Sequence, residues 1–143
     1  MPTAGAQPTG TPRVSRGYAV FVHHLCRSLA AADAAAIRSL LPYYQYNSGV
    51  RFGTFGGGEG ETGDPAIISS WLAGGRVRCR SYTRDIAGHG TLLAGGWNVS
   101  GGWALLDLDT FGGVWKVNDF TFGRFHVLFH AMRTFHSVLR YHD

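Results

Sequence analysis

The chain has 143 residues, 45% apolar, 13% aromatic and only 15% charged, with a formal charge of +4. That is one domain with room for a full hydrophobic core, and it excludes a disordered or coiled-coil chain. No apolar run approaches the roughly 20 residues of a membrane span, and residues 1–17 lack the apolar stretch of a secretory signal, so a cytoplasmic protein without stable membrane association is expected.

Residues 1–14 are rich in Pro, Gly and Thr and read as a flexible tail. Ser15 is placed to cap a helix in which Tyr18, Phe21, Val22, Leu25, Cys26 and Leu29 recur at helical spacing. Asp33 caps a second, short helix over 34–41, with Ile37, Leu40 and Leu41 on one face, and Pro42 stops it. A strand is expected around 49–55, then a flexible loop over 56–63. That loop holds five glycines but no following Gly-Lys-Ser/Thr, so it is not a phosphate loop. Asp64-Pro65 is a helix start, and Gly74-Gly75 end the helix.

After Gly75 the period changes to two. Strands are expected over 76–85, 91–100, 103–109 and 114–122, with Gly101-Gly102 and Gly112-Gly113 as two-residue hairpin turns. The first turn pairs Trp97 with Leu106 and Gly95 with Leu108. The second pairs Thr110 with Trp115, Asp109 with Lys116 and Leu108 with Val117. Opposed residues share a face. Leu93, Trp97, Leu106, Leu108, Trp115 and Val117 therefore form an apolar inside. Asn98, Trp103, Leu105, Asp107, Asp109 and Lys116 form the outside. Beyond the last strand, Leu128, Met132, Phe135 and Leu139 make one stripe of an amphipathic helix over 124–142, with His126, His130, Arg133 and Arg140 opposite.

Helix, helix, strand, helix and a long antiparallel meander make an α+β order. It resembles the nuclear transport factor 2-like superfamily, also called SnoaL-like or cystatin-like. The resemblance rests on Leu29-Ala-Ala-Ala-Asp33 with Ile37-Arg-Ser-Leu40-Leu41, on Gly63-Asp64-Pro-Ala-Ile67-Ile68, and on Gly113-Val-Trp115-Lys-Val117-Asn-Asp-Phe120. It covers about Tyr18 to Gly123. It implies a domain over 15–123 with a curved antiparallel sheet wrapped around N-terminal helices, a conical cavity at the open end, and homodimerisation through the outer sheet face. On this chain only Trp103 and Leu105 support that dimer. The C-terminal helix over 124–143 is an extension, expected to pack on its own domain or across the dimer.

The expected function is binding of a small apolar or aromatic molecule in a cavity lined by Trp97, Leu106, Trp115, Val117, Phe120 and Tyr46. Two alternatives are a cofactor-independent lyase or isomerase using a cavity carboxylate, and a non-catalytic assembly module. Asp119 is the candidate catalytic residue, because the hairpin register sets it inside, opposite Leu106, where apolar surroundings raise a carboxyl pKa. The competing and preferred register has a β-bulge at Asn118-Asp119 that turns Asp119 out and Phe120 and Phe122 in.

The ketosteroid isomerase pattern is disfavoured. Its inward acid falls among Ala104, Leu106 and Leu108, and its base falls near Ser48 or Gly49. Chemistry like that of scytalone dehydratase would call on Tyr43, Tyr44, Tyr46 and His23 or His24, which read better as rim tyrosines and solvent-side histidines. His126 and His130 have metal-ligand spacing but share a stripe with arginines, so a solvated face is preferred and no metal or cofactor is expected. His89 reads as a turn residue. Twelve of the thirteen cations are arginines spread along the chain, which argues against nucleic acid. Arg76, Arg78 and Arg80 are expected on the outer face, paired with acids. Cys26 and Cys79 fall short of a disulfide framework or a four-thiolate zinc site and fit a reducing compartment.

Overall fold

The computed structural model describes residues 16–41, 50–54, 58–63, 70–73, 76–96, 102–134 and 137–142, with the backbone alone for 50–54 and 58–63. The N-terminal tail, the Asp64-Pro65 helix start, Tyr43, Tyr44, Tyr46, Trp97, Gly101 and Phe135 lie outside these residues.

Helix α1 (Arg16–Ala30) carries the expected stripe. Tyr18, Phe21, Val22, Leu25, Cys26 and Leu29 are its buried apolar residues, while His23 and His24 face solvent. The helix ends in a paired 6→1 and 5→2 closure, Asp33 N–H to Ser28 C=O and Ala32 N–H to Leu29 C=O, both 3.0 Å. That closure requires a left-handed residue, and Ala32 supplies it at φ 55° where glycine is usual. Asp33 then caps α2 (Ala34–Ser39), its side chain accepting from the Ala36 amide, as its position in the sequence predicts.

Strands β1 (Val50–Thr54) and β2 (Gly58–Gly63) pair antiparallel, Val50 with Gly63 and Phe52 with Glu61. The expected loop over 56–63 is thus in part a strand. Glycine weakens strand preference, yet a ladder needs only backbone groups once a partner lies alongside. Residues 70–72 form a helical turn that buries Trp71 and Leu72.

The main sheet contains β3 (Arg78–Thr83), β4 (His89–Gly95), β5 (Trp103–Phe111), β6 (Val114–Gly123) and β7 (Val138–Arg140), in the spatial order β6-β5-β4-β3-β7. The α+β class holds. The β5–β6 hairpin has the expected register, from Phe111 opposite Val114 to Leu108 opposite Val117. Gly112 and Gly113 both have positive φ, which the tight turn needs. The register then shifts between Asp107 and Leu108, so Asp107 faces Asp119 and Leu106 faces Phe120. This is the bulged alternative, and it corrects the placement of Asp119 inside, opposite Leu106.

The β4–β5 register differs from expectation. β4 ends at Gly95, which pairs with Trp103, and Leu106 pairs with Leu92. Trp103, which a two-residue turn at Gly101-Gly102 would set opposite Ser100, thus has Gly95 as its partner, and Leu106, expected opposite Trp97, has Leu92. Because the side-chain period is two, the odd-numbered slip moves Leu93 to the outer face.

On the inner face Leu92, Ala94, Ala104, Leu106, Leu108, Val117 and Phe120 pack with α1, Ile37, Trp71 and Leu72 into one core. Gly90 belongs to this layer, since a Cβ there would overlap the Tyr18 hydroxyl. Burial pushes the Tyr18 phenol well above its ordinary range, partly offset by a hydrogen bond with the Thr83 side chain.

The C-terminal helix is shorter than predicted. α3 (Phe125–Arg133) seats Leu128 and Met132 on Leu93 and Leu105 of the outer face, with Trp103, Phe125 and Phe129 around them. The chain then returns as β7, in which Leu139 pairs with Tyr82 at the β3 edge and does not extend the helical stripe. An apolar run of a few residues fits either period, and here the exposed edge of β3 selects the strand.

Cys26 of α1 and Cys79 of β3 form a disulfide across 53 residues of sequence. The reading of both as free thiols is corrected. Spacing alone does not reveal a pairing that depends on where a helix lies over a sheet.

Candidate functional site

The residues that bear titratable chemistry gather on the outer face, at the end of the sheet that α3 leaves uncovered. A tight turn positions the first of them. Ile86 and His89 exchange backbone hydrogen bonds of 3.0 and 3.1 Å around Ala87 and Gly88. Both turn residues have positive φ, 54° and 81°, the signature of a primed hairpin turn. His89 is thereby the first residue of β4, not part of the turn, and it stands opposite Asp109. His89 Nδ1 and Asp109 Oδ1 are hydrogen-bonded. The imidazole is 63% exposed and the Asp109 side chain 10%. With Nδ1 engaged, Nε2 is the atom a ligand would meet.

Asp107 lies two residues back along β5, on the same face. Asn118 Nδ2 donates to Asp107 Oδ2 at 3.2 Å, and the register sets Asp119 opposite. Burial raises the Asp107 carboxyl to about 7; a hydrogen bond with Asp109 and the charge of that neighbour add to the rise, Asn118 opposes it, and Asp119 adds to it. Two adjacent carboxyls that resist joint ionisation retain a proton near neutrality. Asp119 accepts from the Phe120 amide at 2.9 Å, which fixes its carboxylate beside the bulge.

The predicted site residues divide accordingly. Leu106, Val117 and Phe120 are on the inner face as expected, 0–1% exposed. Trp115 is half-buried there against Tyr18 and Phe21, at ring distances of 4.7 and 6.2 Å. Trp97 and Tyr46 fall outside the described residues. Asp119 is on the other side of the sheet from that apolar set. Asp107, Asp109 and His89 were not proposed as a site. The available signals were Asp107 and Asp109 two apart on the polar face, and Ala87-Gly88 as a turn beginning one residue earlier. Lys116 pairs in register with Asp109 as predicted, but its Nζ donates to the Ser39 carbonyl at 3.4 Å.

The remaining candidates are dispersed. His126 and His130 are exposed on α3. Among the described residues no cluster of His, Cys, Asp and Glu is arranged to hold a metal ion, and no helix is long and apolar enough to cross a membrane. Arg80, expected to pair with an acid, lies 5.3 Å from the centre of the Phe125 ring. Leu105 is fully buried, and Trp103 packs edge-on to Phe125 at 4.8 Å. Both residues offered as the dimer face are thus covered by α3. Compared with protein-family models, with curated proteins and with solved structures, the chain has no significant match.

Proposed function

We propose that this chain is a nuclear transport factor 2-like domain whose working surface is the polar end of the outer sheet face, where His89 and Asp107 move protons to and from a small polar substrate without a cofactor. The observation that supports this reading is the register of β4, β5 and β6, which gathers His89, Asp107, Asp109 and Asp119 on one face of the sheet. An imidazole oriented by a carboxylate, next to a carboxyl that stays protonated, is an acid–base pair suited to isomerisation or elimination. The reading of an apolar ligand cavity has less support. Leu106, Val117 and Phe120 pack against aromatic and aliphatic neighbours as core residues do. The cystine favours an oxidising compartment as the working place, in preference to the cytoplasm.

The test is proton exchange. The protein is incubated in deuterated buffer with a panel of small ketones, β-hydroxy acids and β-hydroxy ketones, and exchange and elimination are followed by NMR. Wild type should accelerate exchange or elimination for at least one member, and His89→Ala and Asp107→Asn should each lower the rate by about 100-fold or more. A wild-type rate equal to buffer across the panel, with a carboxyl-carbon titration placing Asp107 near 4, would sink the proposal.

A further inference from the structure

A second feature lies at the other edge of the outer face and shares no residue with the proton-moving array. Between the end of α3 and the edge strand β7 runs an open groove of about 560 Å³, lined by Ser81, Phe129, Arg133, Ser137, Val138 and Arg140. Its volume is in the range of small-molecule sites. The lining is built by three separate elements. Ser81 of β3 and Arg140 of β7 are direct antiparallel partners, so their side chains share the outer face. Arg133 comes from the last turn of α3, and its guanidinium lies 5.8 Å from the centre of the Phe129 ring. That contact holds a long side chain in place at the groove wall.

Three observations bear on what such a groove takes. Arg133 and Arg140 are both exposed, and among the described residues neither forms an ion pair with a carboxylate. Ser81, 6% exposed, lines the groove with them. Its hydroxyl can donate to an entering oxygen acceptor. Phe129 and Val138 give the groove an apolar wall, which a bare inorganic ion would leave unused.

We infer that this groove binds a small organic oxyanion, its phosphate or carboxylate head received by Arg133, Arg140 and the Ser81 hydroxyl and its apolar body laid on Phe129 and Val138. Guanidinium forks suit both heads, since each offers paired oxygens. The groove is separate from the acid–base array, so the two proposals stand or fall independently.

The test titrates the full chain with phenyl phosphate, phenylacetate and inorganic phosphate by calorimetry. At least one aromatic anion should bind at least tenfold more tightly than inorganic phosphate. Arg140→Gln and Ser81→Ala should each weaken that binding by about tenfold, whereas His89→Ala should leave it unchanged. Tighter binding of phenyl phosphate assigns a phosphate-bearing ligand, and tighter binding of phenylacetate assigns a carboxylate. Ser81→Ala removes one atom, so it decides the matter if Arg140→Gln fails to fold. Absence of saturable binding by both aromatic anions overturns the inference, and so does an affinity indifferent to both substitutions.

Discussion

The two faces of the main sheet are made from alternate residues of the same strands, and they differ in how they are covered. Inside, Leu92, Ala94, Leu106, Leu108, Val117 and Phe120 are all buried beneath α1 and its neighbours. Outside, the cover stops partway. Leu93 and Leu105 are buried under Leu128 and Met132, and one step further along β5 the side chains become Asp107 and Asp109. Helix α3 has nine residues, about 13 Å of helix, against a nine-residue strand of about 30 Å. A helix that short does not span the face, and the carboxyls and the imidazole stand at the end beyond it, with Asp109 buried and His89 exposed. The polar array is the part of the sheet that its cover does not reach.

The sharpest way to break this comparison is to truncate adjacent residues of β5. Leu106→Ala and Leu105→Ala each remove a fully buried side chain, one from each face, and each should cost about 2–5 kcal/mol in chemical denaturation. A cost below about 1 kcal/mol for Leu105 alone would mean that α3 does not seat on the outer face. Removing the tie between α1 and the sheet, by the double change Cys26→Ala and Cys79→Ala, should lower stability by about 2–4 kcal/mol, given the length of chain it closes. An unchanged denaturation midpoint in oxidising buffer would count against the bond.

A smaller effect separates the polar end from the apolar one. Folded, Asp107 keeps its proton to about pH 7, against an ordinary value of 3.8. The folded state therefore binds the extra proton between these values, and stability falls as pH rises from about 4 to about 7. Asp107→Asn should flatten that slope and raise stability at pH 8. The gain should be about 1–2 kcal/mol, less than full linkage implies, because water screens part of the cluster. A slope that persists in the variant would assign it to other groups. Smallest of all, Ala32→Gly relieves a left-handed alanine at the end of α1, with an expected gain of about 0.5–1 kcal/mol. A loss on this substitution would show that the Ala32 methyl makes a contact worth more than the backbone strain.

Much of the inner face was legible because two signals agreed. The helical stripe from Tyr18 to Leu29 and the alternation around Gly112-Gly113 each identify the side that must be buried, and the structure joins those two sides. The outer face was harder to read for particular reasons. Gly101-Gly102 looks like a two-residue hairpin turn, but Trp103 pairs with Gly95, and that odd slip in the pairing exchanges the faces of β4. Ala87-Gly88 is a tight turn with alanine where asparagine or glycine is usual, so His89 looked like loop and its alignment with Asp109 was hidden. Asp119 was recognised as informative. Its orientation depends on a single extra residue at Asn118, and a bulge leaves no mark in composition. The partner of Cys26 depends on how α1 lies across β3, which no local pattern encodes.

The cystine has one more consequence, for chain topology. Because Cys26 and Cys79 are joined, residues 27–78 form a covalent ring that holds α2, the β1–β2 hairpin and the Trp71 turn. A protease that cuts once anywhere in this ring opens it without releasing a fragment. The nicked chain gains only the water of hydrolysis, and its two parts remain tethered by the bond between α1 and β3. Cuts outside the ring, after Arg84 or between α3 and β7, divide the chain outright.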